Sequence, residues 1–187
     1  MRATGEFRLR PVVEGDLPLI TRWMNDPAVA AFWELAGPAE LTERHVLPQL
    51  APDGPSRPYL GLLDGAPVSY WEVYQVARDR LAGYYPAEPG DLGVHLLLGP
   101  PEARGRGLGA VLIDRVAELL LRDAPRVVAE PDVRNTASVR SFERAGFRRA
   151  GELELPEKRA VLVLRDRART RTASTRTTTS TRTRTNR

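Results

Sequence analysis

The sequence predicts a single α+β domain built on a mixed β-sheet with helices on both faces. Three observations carry this. Tyr59–Leu63, Asp64-Gly65 and Val68–Val76 read as two alternating strands around a tight turn, an antiparallel hairpin. Leu92–Leu98, Gly107–Arg122 and Val127–Ala129 read as strand, amphipathic helix and strand, the pattern of a crossover. A chain of 187 residues, 42% of them apolar, is long enough for one core and too short for two ordinary ones.

The elements follow in order. Phe7–Pro11 alternates and stops at a proline, a short first strand. Asp16 caps, and Pro18 opens, a helix carrying Leu17, Ile20, Trp23 and Met24 at helical spacing. It ends at Asn25-Asp26-Pro27, because the residue before a proline avoids helical angles. Ala28–Trp33 and Ala39–Leu47 read as two further short helices, with His45 on the polar surface of the second. Residues 77–90 form a long connection holding Asp79, Arg80, Tyr84 and Tyr85, and loops of that length often carry function. The helix over Gly107–Arg122 gathers Leu108, Val111, Leu112, Val116, Leu119 and Leu120 on one face. Asn135 caps a helix that runs to Ala145 and stops at Gly146. Phe147–Leu155 and Arg159–Leu164 are the last strands.

Composition narrows the function. The absence of cysteine excludes a disulfide scaffold, a thiolate metal site and a cysteine nucleophile, and fits a reducing cytoplasm. Two histidines and no cysteine leave little basis for a catalytic metal. Residues 1–20 hold no signal-peptide core, and no run approaches the roughly 18 apolar residues of a membrane span. We expect a cytoplasmic protein without membrane contact. The net charge of +4 is uneven: residues 165–187 hold eight arginines and Asp166, a stretch of +7, which leaves −3 for the rest. The domain is therefore expected over 1–165 and a disordered Arg/Thr-rich tail over 166–187. The folded part gives no reason to expect nucleic-acid binding beyond nonspecific tail contacts.

One stretch organises the chain. The strand Gly93-Val94-His95-Leu96-Leu97-Leu98-Gly99 leads to Arg104-Gly105-Arg106-Gly107-Leu108-Gly109, which opens the best helix. Glycines leave backbone N–H groups uncovered and the helix start adds partial positive charge, a cradle for a phosphate-bearing ligand. The P-loop and dinucleotide-binding spacings are both missing. Alternation puts His95 and Leu97 on one face, and Val94, Leu96 and Leu98 on the other. Under a covering helix the ring is a buried polar group that needs a partner. An imidazole titrates near ~6.5, which suits proton transfer at neutrality. A hydrogen-bonded core histidine without chemistry fits the same position.

Arg104–Gly109, Asn135 with Ser138, and Arg144-Ala145-Gly146-Phe147 resemble the GCN5-related N-acetyltransferase (GNAT) superfamily, over roughly residues 7–164. Trp23–Pro27 with Phe32-Trp33, Asp79-Arg80 through Tyr84-Tyr85, Gly93–Gly99 and Glu130-Pro131-Asp132 resemble its siderophore-pathway lysine and hydroxylysine N-acyltransferases, of the aerobactin and mycobactin type. The resemblance implies a splayed sheet whose parted strands admit acetyl-CoA or another acyl-CoA. It implies that Arg104, Gly105, Arg106, Gly107, Leu108 and Gly109, with Asn135, bind that co-substrate, and that amides near Leu96, Leu97 and Leu98 polarise its carbonyl. His95 and Asp132 would handle the proton. Trp33, Asp79, Tyr84 and Tyr85, with Arg80, would bind the acceptor.

The implied reaction carries an acyl group to the side-chain amine or hydroxylamine of a lysine-like acceptor, N6-hydroxylysine or a diamine, in a monomer or homodimer. One departure stands out. Many relatives place a tyrosine, the proton donor to the departing thiolate, where this chain has Phe142. Ser141, Asn135 or water would have to substitute. A rival reading is an aminoglycoside 6′-N-acetyltransferase, whose polycationic substrate needs a pocket lined with acids. A non-enzyme reading is an acyl-CoA-binding or polyanion-binding protein.

Overall fold

A computed structural model describes residues 5–168. Of the tail expected over 166–187, all but residues 166–168 lies outside the described residues. The seven strands are β1 (Phe7–Pro11), β2 (Ser56–Leu63), β3 (Ala66–Gln75), β4 (Leu92–Leu98), β5 (Arg126–Ala129), β6 (Arg148–Glu154) and β7 (Arg159–Asp166). They form one sheet in the order β1-β2-β3-β4-β5-β7-β6. Each neighbouring pair is antiparallel except β4 and β5, so the sheet is mixed, as expected. The predicted turn joins β2 to β3: Asp64 and Gly65 both have positive φ, 50° and 82°, which matches the twist of a hairpin.

Helices α1 (Leu17–Met24), α2 (Pro27–Trp33) and α3 (Ala39–Val46) cover one face, where Ile20, Trp23, Met24, Val29 and Val46 pack on Leu60, Tyr70 and Leu97. Helices α4 (Leu108–Leu120) and α5 (Thr136–Arg144) cover the other, where Leu112, Ile113, Val116, Val139 and Phe142 pack on Trp71, Val73 and Val94. Burying each such side chain contributes about 1.5–3 kcal/mol. That anchorage fixes the start of α4 against β4.

The helix caps follow the sequence in part. Asp26 caps α2 by accepting from Ala28 N–H at 2.9 Å, and Asn135 caps α5 by accepting from Ser138 N–H at 3.1 Å. Asp16 does not cap α1. Its carboxylate accepts from Arg10 at 2.7 and 2.9 Å and from Val13 N–H at 2.9 Å, and a 3-10 turn over Glu14–Asp16 precedes the helix. Arg10, six residues earlier on β1, and the Val13 amide hold that carboxylate away from the helix start.

Candidate active site

The sheet opens between β4 and β5. Their parallel pairing comprises Leu92 with Val127 and Gly93 with Val128, and beyond these the strands part. The edge of β4 from Val94 onward therefore has no strand partner on that side. Gly99 N–H donates to Val68 O at 3.0 Å, toward β3. Strict alternation in an antiparallel ladder then turns the amides of Gly93, His95 and Leu97 toward β3, and those of Val94, Leu96 and Leu98 into the gap. Of the three leucines predicted to meet the co-substrate through their backbone, Leu96 and Leu98 face the gap and Leu97 faces β3.

His95 bridges the gap on the face covered by α1–α3. It lies opposite Glu72 of β3, and its Nδ1 is 3.5 Å from a Glu72 carboxylate oxygen. Its Nε2 is 2.6 Å from Glu130, which follows β5 on the other side. Glu72 and Glu130 are 5% and 6% exposed, so each needs its donors. Glu72 also accepts from Tyr70 at 2.8 Å and Gln49 at 2.9 Å, and lies 2.6 Å from His45 Nε2. Glu130 also accepts from Tyr74 at 3.1 Å and from Lys158 at 3.5 Å. A Cβ at Gly93 would lie 2.0 Å from Tyr74 Cζ, so glycine there is what lets the tyrosine ring cross β4 to reach Glu130.

The electrostatics follow from burial set against these pairings. Burial disfavours the charged His95 ring, but the charge and hydrogen bond of Glu130, and then Glu72, outweigh it and raise the ring to about 10. Burial likewise disfavours ionised Glu130, yet His95 and Lys158 bring it down to about 2. Glu72 is also penalised by burial and is held below the usual carboxylate range by His45 and His95. Burial, with the adjacent carboxylates, pushes the Tyr70 and Tyr74 hydroxyls up, so both remain donors. The resting centre is an imidazolium between two carboxylates.

This centre forms part of the wall of a cavity of about 250 Å3 that also takes in Trp33, Glu34, Asp132, Arg134, Asn135, Ser138, Phe142 and Lys158. The glycine turn lies on the opposite face of the sheet. Gly105 and Gly107 have φ of 72° and 77°, and a Cβ on either would meet nothing within 4 Å. The conformation, rather than crowding, requires glycine, and the amides leading into α4 stay uncovered. Arg106 is exposed and makes no hydrogen bond or ion pair among the described residues.

A family model for the acetyltransferase (GNAT) domain matches residues 12–155. The chain belongs to the GNAT family. It is 37% identical over 163 residues to the lysine N-acyltransferase MbtK of Mycolicibacterium paratuberculosis, covering 86% of this chain and 73% of that one. It is 37% identical over 164 residues to the N(6)-hydroxylysine O-acetyltransferase of Escherichia coli, covering 86% of this chain and 51% of that one. Among solved structures, aminoglycoside acetyltransferase AAC(6')-Ib in complex with coenzyme A superposes with a TM-score of 0.79 at 27% identity, covering 87% of this chain and 95% of that one. This GNAT chain is an acyl-CoA-dependent N-acyltransferase. Its residues fit that co-substrate: the β4 edge beyond Gly93 has no strand partner on the β5 side, and nothing within 4 Å covers the Cβ positions of Gly105 and Gly107.

Several residues of the GNAT chain sit otherwise than the sequence reading had them. Arg104 is spent on structure: it donates to Leu98 O at 3.0 Å, Gly99 O at 2.6 Å and Asp26 at 2.8 Å, which fastens the glycine turn to β4 and α2. Asp132 lines the cavity, but its carboxylate accepts from Arg134 side chain at 2.6–3.1 Å and backbone at 2.7 Å; the carboxylate that faces His95 is Glu130. Trp33 stands edge-on to both His95 and His45, with ring centroids 6.3 Å apart in each case. Asp79 caps a 3-10 turn by accepting from Leu81 N–H at 2.8 Å, and Tyr85 donates to Asp91 at 2.7 Å beside Arg126. Tyr84 is 39% exposed. Asp79, Tyr84 and Tyr85 are not in the cavity wall, although Arg80 reaches it by pairing with Glu157. Asn135 and Ser138 are in the wall, and Phe142, 2% exposed, brings no hydroxyl to it.

Glu130 was seen only as part of a family-like segment, with no role of its own, and two further members, His45 and Glu72, were not expected in the site. His45, expected on the surface, is drawn into the wall by Glu72. Glu72 is the one charged residue within the apolar run from Val68 to Val76, and that isolation was the available signal.

Proposed function

We propose that this GNAT chain transfers an acetyl or other acyl group from coenzyme A to the side-chain amine or hydroxylamine nitrogen of a lysine-like acceptor, N6-hydroxylysine or a diamine, in hydroxamate siderophore assembly. The observation that carries the reading is His95 held between Glu72 and Glu130, across the gap, in a cavity of amino-acid size. The activities named for the two relatives above, and for an N-hydroxyputrescine acetyltransferase of Acinetobacter baumannii at 35% identity, support it.

Bound acyl-CoA supplies an activated thioester carbonyl. The amides of Leu96 and Leu98 polarise that carbonyl. The Gly105–Gly109 amides, with Arg106, hold the pyrophosphate. An acceptor ammonium set against Glu130 competes with the imidazolium for the carboxylate, and the two like charges lower each other's pKa. The ring proton passes to solvent at the exposed edge of the ring, and neutral His95 takes the proton of the attacking nitrogen. The C–N bond forms, the C–S bond breaks, and the proton shed by nitrogen ends on sulfur. With Phe142 lacking a hydroxyl, the regenerated His95 imidazolium is the acid at hand. Asp132, through Arg134, positions the loop after β5.

An aminoglycoside acceptor is the second reading. The chain is 32% identical to aminoglycoside N(6')-acetyltransferase type 1 of Klebsiella pneumoniae, and acids line the cavity. A volume of about 250 Å3 falls below the roughly 300–1,000 Å3 of sites for drug-sized ligands, which favours the smaller acceptor. The test is purified protein with acetyl-CoA, a thiol reagent that detects released coenzyme A, and a panel of lysine, N6-hydroxylysine, N-hydroxycadaverine and kanamycin. Acceptor-dependent thiol release with one of the first three is expected. Release with kanamycin alone, or with none of them, removes the siderophore reading.

A further inference from the structure

Lys158 stands out on two independent grounds. Of the 28 lysine and arginine residues in the chain it is the one lysine, and the rest are arginines. It also belongs to the wall of the cavity that holds His95, together with Val94 and Leu96, which border the gap. The backbone fixes its place. Leu155 N–H donates to Lys158 O at 2.9 Å, and Lys158 N–H donates back at 3.3 Å, which closes the turn between β6 and β7. Just beyond, Ala160 pairs with Asp132, and Val161 N–H donates to Pro131 O at 2.9 Å. The start of β7 is thereby stitched to the segment that follows Glu130. Lys158 Nζ lies 3.5 Å from the same Glu130 oxygen that His95 Nε2 meets at 2.6 Å. Asp132 and Glu157 add to the negative field around it.

This side chain is a primary amine on a four-carbon stem, inside a site that acylates amines. An arginine there would stay charged and inert, whereas a lysine can shed a proton and attack a carbonyl. The contact of 3.5 Å is longer than the about 2.7–2.9 Å of a tight ammonium–carboxylate bond, so the amine is loosely held. We propose that Lys158 is a modification site: with acyl-CoA bound and no free acceptor present, its Nζ takes the acyl group. The ammonium first loses one proton to solvent, which reaches its 22% exposed side chain. The free amine attacks the thioester carbonyl and gives a second proton to neutral His95. The C–N bond forms, the C–S bond breaks, and that proton ends on sulfur, leaving N6-acyl-lysine and coenzyme A. The product is uncharged, withdraws a cation from Glu130 and fills the cavity, so it acts as a brake on turnover. The inference rests on the acyl-transfer reading above, with His95 as proton acceptor, and on no particular free acceptor.

The full-length protein is incubated with acetyl-CoA and no acceptor, and its peptides are read by mass spectrometry. One acetyl group per chain is expected at Lys158, at a rate that saturates with acetyl-CoA, and none there in the urea-unfolded chain. His95→Ala should slow the labelling about 100-fold while calorimetry shows that acetyl-CoA still binds. Preincubation should lower later thiol release with the best acceptor of the panel above in proportion to the labelled fraction. Lys158→Arg, whatever its own rate, should show no such decline. No acetyl at Lys158, or labelling equally fast in the unfolded chain or in His95→Ala, overturns the proposal, and turnover of a free acceptor by the same preparation leaves acyl transfer standing. Full activity in labelled protein overturns the brake. Neither labelling nor turnover of any acceptor on the panel, with acetyl-CoA bound, refutes the acyl-transfer reading and this one together.

Discussion

Replacing Glu130 by Gln keeps the shape of the site and removes the charge 2.6 Å from His95 Nε2. His95 is raised to about 10 in the folded protein, against about 6.5 for a free ring. A group raised on folding contributes stability that is fully present below its unfolded pKa and is lost as pH climbs through the folded one. Wild-type protein should therefore lose stability between about pH 6.5 and 10. One proton sets the steepest possible slope, about 1.4 kcal/mol per pH unit. The His95 side chain is 38% exposed, so solvent screening reduces the effect, and we expect a total loss of about 2 kcal/mol over that window. In Glu130→Gln the pull of Glu72 at 3.5 Å persists, and the loss should shrink to under about 1 kcal/mol. Urea melts at half-unit steps from pH 6 to 10 measure it, and ring-proton NMR gives the His95 titration directly. The same variant should lower kcat about 100-fold, because the ring loses its orienting partner. Superimposable stability profiles for wild type and variant would refute the electrostatic account of this site.

Four further outcomes are expected. Toward acid, Glu130, lowered to about 2, contributes stability that is present above its usual 4.5 and lost as pH falls through 2; acid melts of wild type against Glu130→Gln show whether that limb belongs to it. Arg104→Ala leaves Leu98 O, Gly99 O and Asp26 without their donor, so it should cost about 1–3 kcal/mol in urea and raise the KM for acetyl-CoA with little change in kcat. Gly107→Ala meets no clash but must hold φ near 77°, so calorimetry should show weaker acetyl-CoA binding and melts should show about 1–2 kcal/mol of lost stability. Asp132→Asn disturbs Arg134 rather than the ring, and should lower kcat by about tenfold, less than Glu130→Gln, in the thiol-release assay.

What could be read from the chain was local. Alternation gave β4 its two faces, the Asp64-Gly65 turn gave the hairpin, and Asn135 and Gly146 bounded α5 to within a residue. The glycine turn was legible because a positive φ leaves its mark on the residue type at that very position. Misassignments arose where a side chain's partner lies far along the chain. Arg104 opens the glycine turn and reads as a phosphate ligand, yet it closes on Asp26, 78 residues away. Asp132 and Glu130 are two residues apart and chemically alike; which of them faces His95 depends on where β5 ends and how Arg134 folds back. His45 and Glu72 are paired by the packing of α3 over β3, 27 residues apart. By itself the sequence determined the strands, the Asn135 cap, the histidine and the uncovered amides, because each follows from the steric and hydrogen-bonding habits of neighbouring residues. Tertiary structure alone decided that β4 and β5 part after two pairs and that His95 lies charged between two acids, because register and burial are set by the whole sheet.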